Sequence, residues 1–151
     1  MGDTGLPASD VDRIEAWRLL ITTQRRLIDR LGDELSSKFD LPIEWYDVLL
    51  HLYEADHQQL RMHELAESLL VSRSALTRFI DKVEEAGLVE RLPADEDGRG
   101  TYVTLTASGL ETFKDAGRFH RKGILELFGK HLTDDEVEAL RTGLRRVLDN
   151  D

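Results

Sequence analysis

The sequence predicts a mainly α-helical domain carrying one small β-hairpin, in the order helix, helix, helix-turn-helix, hairpin, helix, helix. Three observations predict it. Apolar residues recur at three-to-four spacing through most of the 151 residues. The pattern switches to alternation only in "LVERLP" and "TYVTLT", which flank the polar "ADEDGRG". Long amphipathic segments lie at both ends, with no repeat, low-complexity tract or linker between them, so residues 1–151 read as one domain.

From Asp10 to Lys38 the residues Ile14, Trp17, Leu20, Ile21, Leu27, Ile28, Leu31 and Leu35 form the stripe of a long first helix. Pro42 suits the first turn of a second, with Trp45, Val48, Leu49 and Leu52 on its buried side. "RMHELAESLL" is a short third helix around Leu65, Ala66 and Leu69. Ser72 caps a fourth, which stops near Gly87, a natural left-handed residue. Two antiparallel strands follow, then a helix from Ala107 to about Phe128, with Leu110, Phe113, Ala116, Ile124 and Leu127 at helical spacing. Thr133, with Glu136 three residues on, makes a capping box for a last helix carrying Val137, Leu140, Leu144 and Val147. The middle, about residues 42–106, is therefore a winged helix-turn-helix lobe, flanked by helices at 10–38 and 107–149. These flanks offer more apolar surface than a small lobe requires, which predicts a homodimer built from both termini. The alternative is that they only complete the monomer core.

Composition excludes several functions. With no cysteine there is no disulfide, thiolate metal site or cysteine nucleophile. No run approaches the roughly 18 apolar residues of a membrane span, and "MGDTGLPASD" lacks the basic start and apolar core of a signal sequence, so a cytoplasmic protein away from membranes is expected. No phosphate loop, Ser/His/Asp set or cofactor box appears, so neither catalysis nor a cofactor is expected. "HELAE" departs from the metalloprotease H-E-x-x-H pattern at Glu67, and His51, Glu54 and His57 align poorly as a metal set. The net charge of −10 argues against a protein that coats nucleic acid indiscriminately. The charge is uneven, however: residues 1–71 hold 7 Lys/Arg against 14 Asp/Glu, and residues 72–151 hold 13 against 16.

The fourth helix sharpens that asymmetry. Its inner face is Leu76, Phe79, Ile80 and Val83, and its outer face Ser74, Thr77, Arg78, Asp81 and Glu85. The first turns show hydroxyls and arginine; acid appears only at the far end. A helix that enters a major groove N-terminus first needs this gradient, because arginine donates twice to guanine and hydroxyls serve bases or phosphates. Arg99 sits at the tip of the loop between the strands, from where it reaches a minor groove, and Asp97 is placed to hold it. The bland alternatives are that Arg73 and Arg78 pair with Glu67 or Glu85, and that "DEDGRG" is a plain polar turn.

The stretch "LRMHELAESLLVSRSALTRFIDKVEEAGLVERLPADEDGRGTYVTLTASG" resembles the core of the MarR family of transcriptional regulators, with "AGLVER" and the D-x-R wing followed by LT-x-x-G as its more specific parts. The resemblance implies a homodimeric repressor on double-stranded DNA, at a pseudo-palindromic operator. DNA contacts would fall to Ser72, Arg73, Ser74, Thr77 and Arg78 in the major groove and to Asp97 and Arg99 at the wing. Gly98 stands where the family often has a second arginine. The resemblance also implies release by a small aromatic or phenolic effector bound between the dimer helices and the DNA-binding lobe. Trp45, Tyr46 and Asp47 are candidate pocket or switch residues, and Asp47 falls where the urate-responsive branch has an acid. The residues themselves favour a plainer assignment, with Trp45 in the core, Tyr46 partly exposed and Asp47 a surface charge. A winged-helix protein-interaction module that does not bind DNA is the alternative function.

Overall fold

The computed structural model describes residues 7–93 and 100–151. Helix α1 (Asp10–Phe39) begins at a reciprocal cap: the Asp12 N–H donates to Ser9 Oγ at 3.2 Å, and the Asp12 carboxylate accepts the Ser9 N–H at 2.8 Å. Only Leu31 and Leu35 of this helix are buried. Helix α2 (Ile43–Glu54) follows Pro42 and buries Tyr46, Val48, Leu49 and Leu52. Tyr46 was expected to be partly exposed and Trp45 to be core. The structure reverses them, with Tyr46 only 4% exposed and Trp45 half-buried. The cause is that α2 is covered on several sides, so its buried arc is wider than a single stripe.

A left-handed turn at His57 and Gln58, both with φ 56°, leads into β1 (Gln59–Arg61). Helix α3 (Met62–Leu69) begins with the Glu64 carboxylate accepting the Arg61 N–H at 2.9 Å and ends at Leu70, also left-handed. Ser72 then caps α4 (Arg73–Glu85) by accepting the Ala75 N–H at 3.2 Å, which makes the expected tight turn between the two helices. Gly87, with φ 80°, ends that run as expected.

Strands β2 (Val89–Pro93) and β3 (Thr101–Leu105) form the expected hairpin. The sheet is larger than predicted, because β1 pairs antiparallel with the other edge of β3, giving the order β1-β3-β2. Val103 at its centre and Val89 beside it turn into the core formed by Leu49, Leu52, Leu65, Leu76, Ile80 and Val83. The loop that carries Asp97 and Arg99 lies outside the described residues.

Helix α5 (Ala107–Leu127) is clamped to the end of α4. Thr106 Oγ1 accepts the Gly109 N–H at 2.9 Å and donates to the Gly87 carbonyl at 2.6 Å, while the Thr106 N–H reaches the Leu88 carbonyl at 3.2 Å. A Cβ on Gly109 would lie 1.9 Å from the Leu88 oxygen, so only glycine permits this approach. Helix α6 (Asp134–Leu148) has the predicted capping box, yet none of its residues is buried. Among the described residues no helix is long and apolar enough to cross a membrane.

Gly109→Ala forces the backbone of α5 away from Leu88 and is expected to destabilise the fold by about 1–3 kcal/mol, as overpacking does. A urea midpoint unchanged from wild type would show that the approach is not required.

Candidate nucleic-acid interface and adjoining cavity

The N-terminal turns of α4 present Ser72, Arg73, Ser74, Thr77 and Arg78 together, all exposed. Their hydrogen bonds are partly committed. Ser72 Oγ lies 3.3 Å from Ser74 Oγ and caps the helix, and Thr77 Oγ1 donates to the Arg73 carbonyl at 2.9 Å. With its proton spent on the backbone, the Thr77 hydroxyl offers lone pairs outward. The two guanidinium groups are different. Among the described residues neither Arg73 nor Arg78 forms an ion pair, so the pairing with Glu67 or Glu85 considered from the sequence does not occur.

The acidic end of α4 is tied down by a residue the sequence reading passed over. Arg91 of β2 donates from Nη2 to Asp81 Oδ1 at 2.6 Å and to Glu84 Oε1 at 3.0 Å, and its backbone N–H donates to Glu84 Oε2 at 2.7 Å. The hydrogen bond from the Arg91 backbone, reinforced by its side chain, holds the Glu84 carboxyl below the ordinary glutamate range. The single guanidinium offsets one of the two negative charges at this end of α4, and the hairpin is fixed to the helix. The only sequence signal was an arginine in "AGLVER" a few residues beyond an acidic helix end.

The effector candidates divide between two places. Tyr46 and Asp47 line a cavity of about 520 Å³ between α2 and α5. Trp45 instead faces a hollow of about 310 Å³ against Ala75, Arg78 and Phe79 of α4, so the three do not share one pocket. The larger cavity has an aromatic floor: Tyr46 stacks on Phe113 at 5.4 Å and Tyr53 lies 4.8 Å from the same ring. Lys114, Arg121 and His120 complete its polar wall. Among the described residues Lys114 and Arg121 are not ion-paired. Burial raises the pKa of the Tyr46 phenol and of the Asp47 carboxyl, and the latter is opposed by His51. His120, Lys114 and Arg121 were not foreseen, because their grouping depends on how α5 crosses α2. His51 Nδ1 lies 2.7 Å from the Asp47 carbonyl, and among the described residues no cluster of His, Asp or Glu forms a metal set.

The model of the MarR family matches residues 39–100, which run from the end of α1 through β2 to the residue before β3. The multiple antibiotic resistance protein MarR of Escherichia coli K12 is 34% identical over 120 residues, covering 80% of this chain and 82% of that one. The chain belongs to the MarR family. It is a transcriptional regulator built on a winged helix-turn-helix, with α3 and α4 as the helix-turn-helix and the β2–β3 hairpin as the wing. Its fold is also similar to AbsC, a MarR-family regulator from Streptomyces coelicolor, with a TM-score of 0.84 and 28% identity over 97% of each chain. A mutant MarR from E. coli, complexed with operator DNA, aligns with a TM-score of 0.77 and 32% identity, covering 93% of this chain and 99% of that one.

Arg91→Ala releases Asp81 and Glu84 and is expected to lower stability at neutral pH. Because the Glu84 pKa is depressed in the fold, its contribution is present above the ordinary glutamate range and is lost as pH falls through the depressed value. The stability gap between wild type and variant, read from urea unfolding, should therefore narrow in acid. A gap that stays constant down to strongly acidic pH would contradict the assignment.

Proposed function

We propose that this MarR-family regulator is a homodimeric repressor that holds a pseudo-palindromic operator through two copies of α4 and releases it when a small anionic aromatic compound enters the cavity between α2 and α5. The observation that carries the reading is the exposed pair Arg73 and Arg78, without an ion pair among the described residues, at the start of a capped helix whose acidic end is partly offset by Arg91. In this reading Arg78 donates to a guanine edge in the major groove, and Thr77 accepts from an exocyclic amino group. Ser72, Arg73 and Ser74 hold phosphate beside the free N–H groups of the helix start. Asp97 and Arg99 serve the minor groove from the wing tip, and Gly98 leaves that contact to one arginine.

Dimerisation is supported by apolar surface left uncovered at both ends of the chain. Ile14 and Trp17 on α1 are 52% and 60% exposed, and Leu140, Leu144 and Val147 run along one side of α6. Pairing the ends of two chains covers both stripes and sets the spacing of the two α4 helices. The effector reading is supported by the aromatic floor and by Lys114 and Arg121, which have no ion pair among the described residues and together with that floor suit a flat ring bearing one negative charge. A protein working on this target belongs in the cytoplasm.

Selection from a random duplex library by the purified protein is expected to enrich an inverted repeat with half-sites about one helical turn apart. On the enriched duplex Arg78→Ala should lose about 1–3 kcal/mol of discrimination at one base pair of each half-site. Arg99→Ala should weaken all sequences alike. Absence of enrichment would refute operator binding. Sedimentation should give a dimer at micromolar concentration, and a monomeric mass there would refute the terminal-helix interface.

A further inference from the structure

His120 has a role in the cavity that the aromatic floor and the cations do not fill. Its ring lies 4.7 Å from Tyr46, and its Nδ1 is sealed from solvent with no hydrogen-bond partner among the described residues. A sealed lone pair is better tolerated than a sealed N–H, so the neutral ring keeps its proton on Nε2. Protonation would place an N–H at the sealed position, where no acceptor meets it among the described residues. Desolvation accordingly lowers the pKa of His120, while Glu34 of α1 opposes that shift.

The charges around the ring come from three helices. Glu34 of α1 acts on it from outside the cavity lining, and α2 contributes the Tyr46 phenol, Asp47 and Glu54. From α5 come Lys114, Arg121 and Arg118, the last paired with Asp115. An anion seated against Lys114 and Arg121 would place a negative charge in the cavity that His120 also lines, so the same ligand that suits the cavity also makes a charged His120 more stable.

We propose that an aromatic carboxylate enters this cavity together with one proton, which His120 takes up, so that effector binding tightens as pH falls. The inference rests on the effector reading of the same cavity. Its sign follows from linkage. His120 gives up its proton at a lower pH when the cavity is empty than when it is filled, and between those two values binding draws a proton from solution. Above the filled-state value the affinity is flat, and below the empty-state value it is flat again.

The test uses 2-naphthoate, whose carboxylate is ionised throughout, with the full-length protein and calorimetry between about pH 6 and 8, where histidines titrate. Measuring in buffers of different ionisation enthalpy counts the protons taken up. Wild type should take up a fraction of a proton, and its naphthoate affinity should rise by up to about tenfold for each unit the pH falls. His120→Asn should bind naphthoate with no buffer dependence and with one affinity at every pH. His120→Phe, which keeps the ring packing on Tyr46, should likewise take up no proton. Naphthoate binding by wild type without proton uptake, or equal uptake by both variants, would overturn the inference and leave the effector reading standing. No naphthoate binding at any pH would overturn both.

Discussion

The contact on which the rest depends is the one between Arg91 and the pair Asp81 and Glu84. A chain of net charge −10 repels nucleic acid at long range. What a phosphate meets at close range is set within a Debye length, about 8 Å at physiological salt. By engaging Asp81 and Glu84, Arg91 offsets one of their two charges and favours the field of the Arg73 and Arg78 guanidinium groups at the start of α4. The same contact joins the wing to the helix, so the two parts that would touch DNA keep a fixed relation. Exposed ion pairs contribute little to stability, but this one is partly buried, branched and supported by a backbone N–H, and its larger consequence is geometric.

Adjoining residues of α2 connect the interface to the cavity. Tyr46 lies against Phe113 and His120 of α5, whereas Trp45 turns to Arg78 and Phe79 of α4. A ligand that displaces Tyr46 would therefore act on a helix that also touches α4, the proposed recognition helix. The start of α5 is held to Leu88 by Thr106 and Gly109, so in the proposed mechanism any shift of α5 is transmitted to the root of the wing. A ligand changes operator affinity only to the extent that it binds one such arrangement better than the other.

Much of this was legible in the sequence where local chemistry decides structure. Ser72, Gly87, Thr133 and the alternation in "TYVTLT" each specify a cap, a stop or a strand within a few residues, and each lies where expected. What escaped depends on contacts between distant segments. Strand β1 has three residues, too few to show alternation, and exists because β3 offers it an edge. Tyr46 and Trp45 exchanged burial because the covering of α2 by α5 leaves no trace in the spacing along α2. The roles of Arg91 and His120 likewise arise from neighbours on other elements. The terminal stripes read correctly as amphipathic, and their exposure in a single chain is consistent with the expectation of a partner.

The central claim is that an acidic protein carries a locally cationic surface that reads DNA, and the salt dependence of affinity for an enriched duplex tests it most directly. Arg73 in each of two protomers neutralises about two phosphates, which predicts a slope of log affinity against log salt of about −2 or steeper. A slope near zero, with affinity indifferent to salt, would contradict the account.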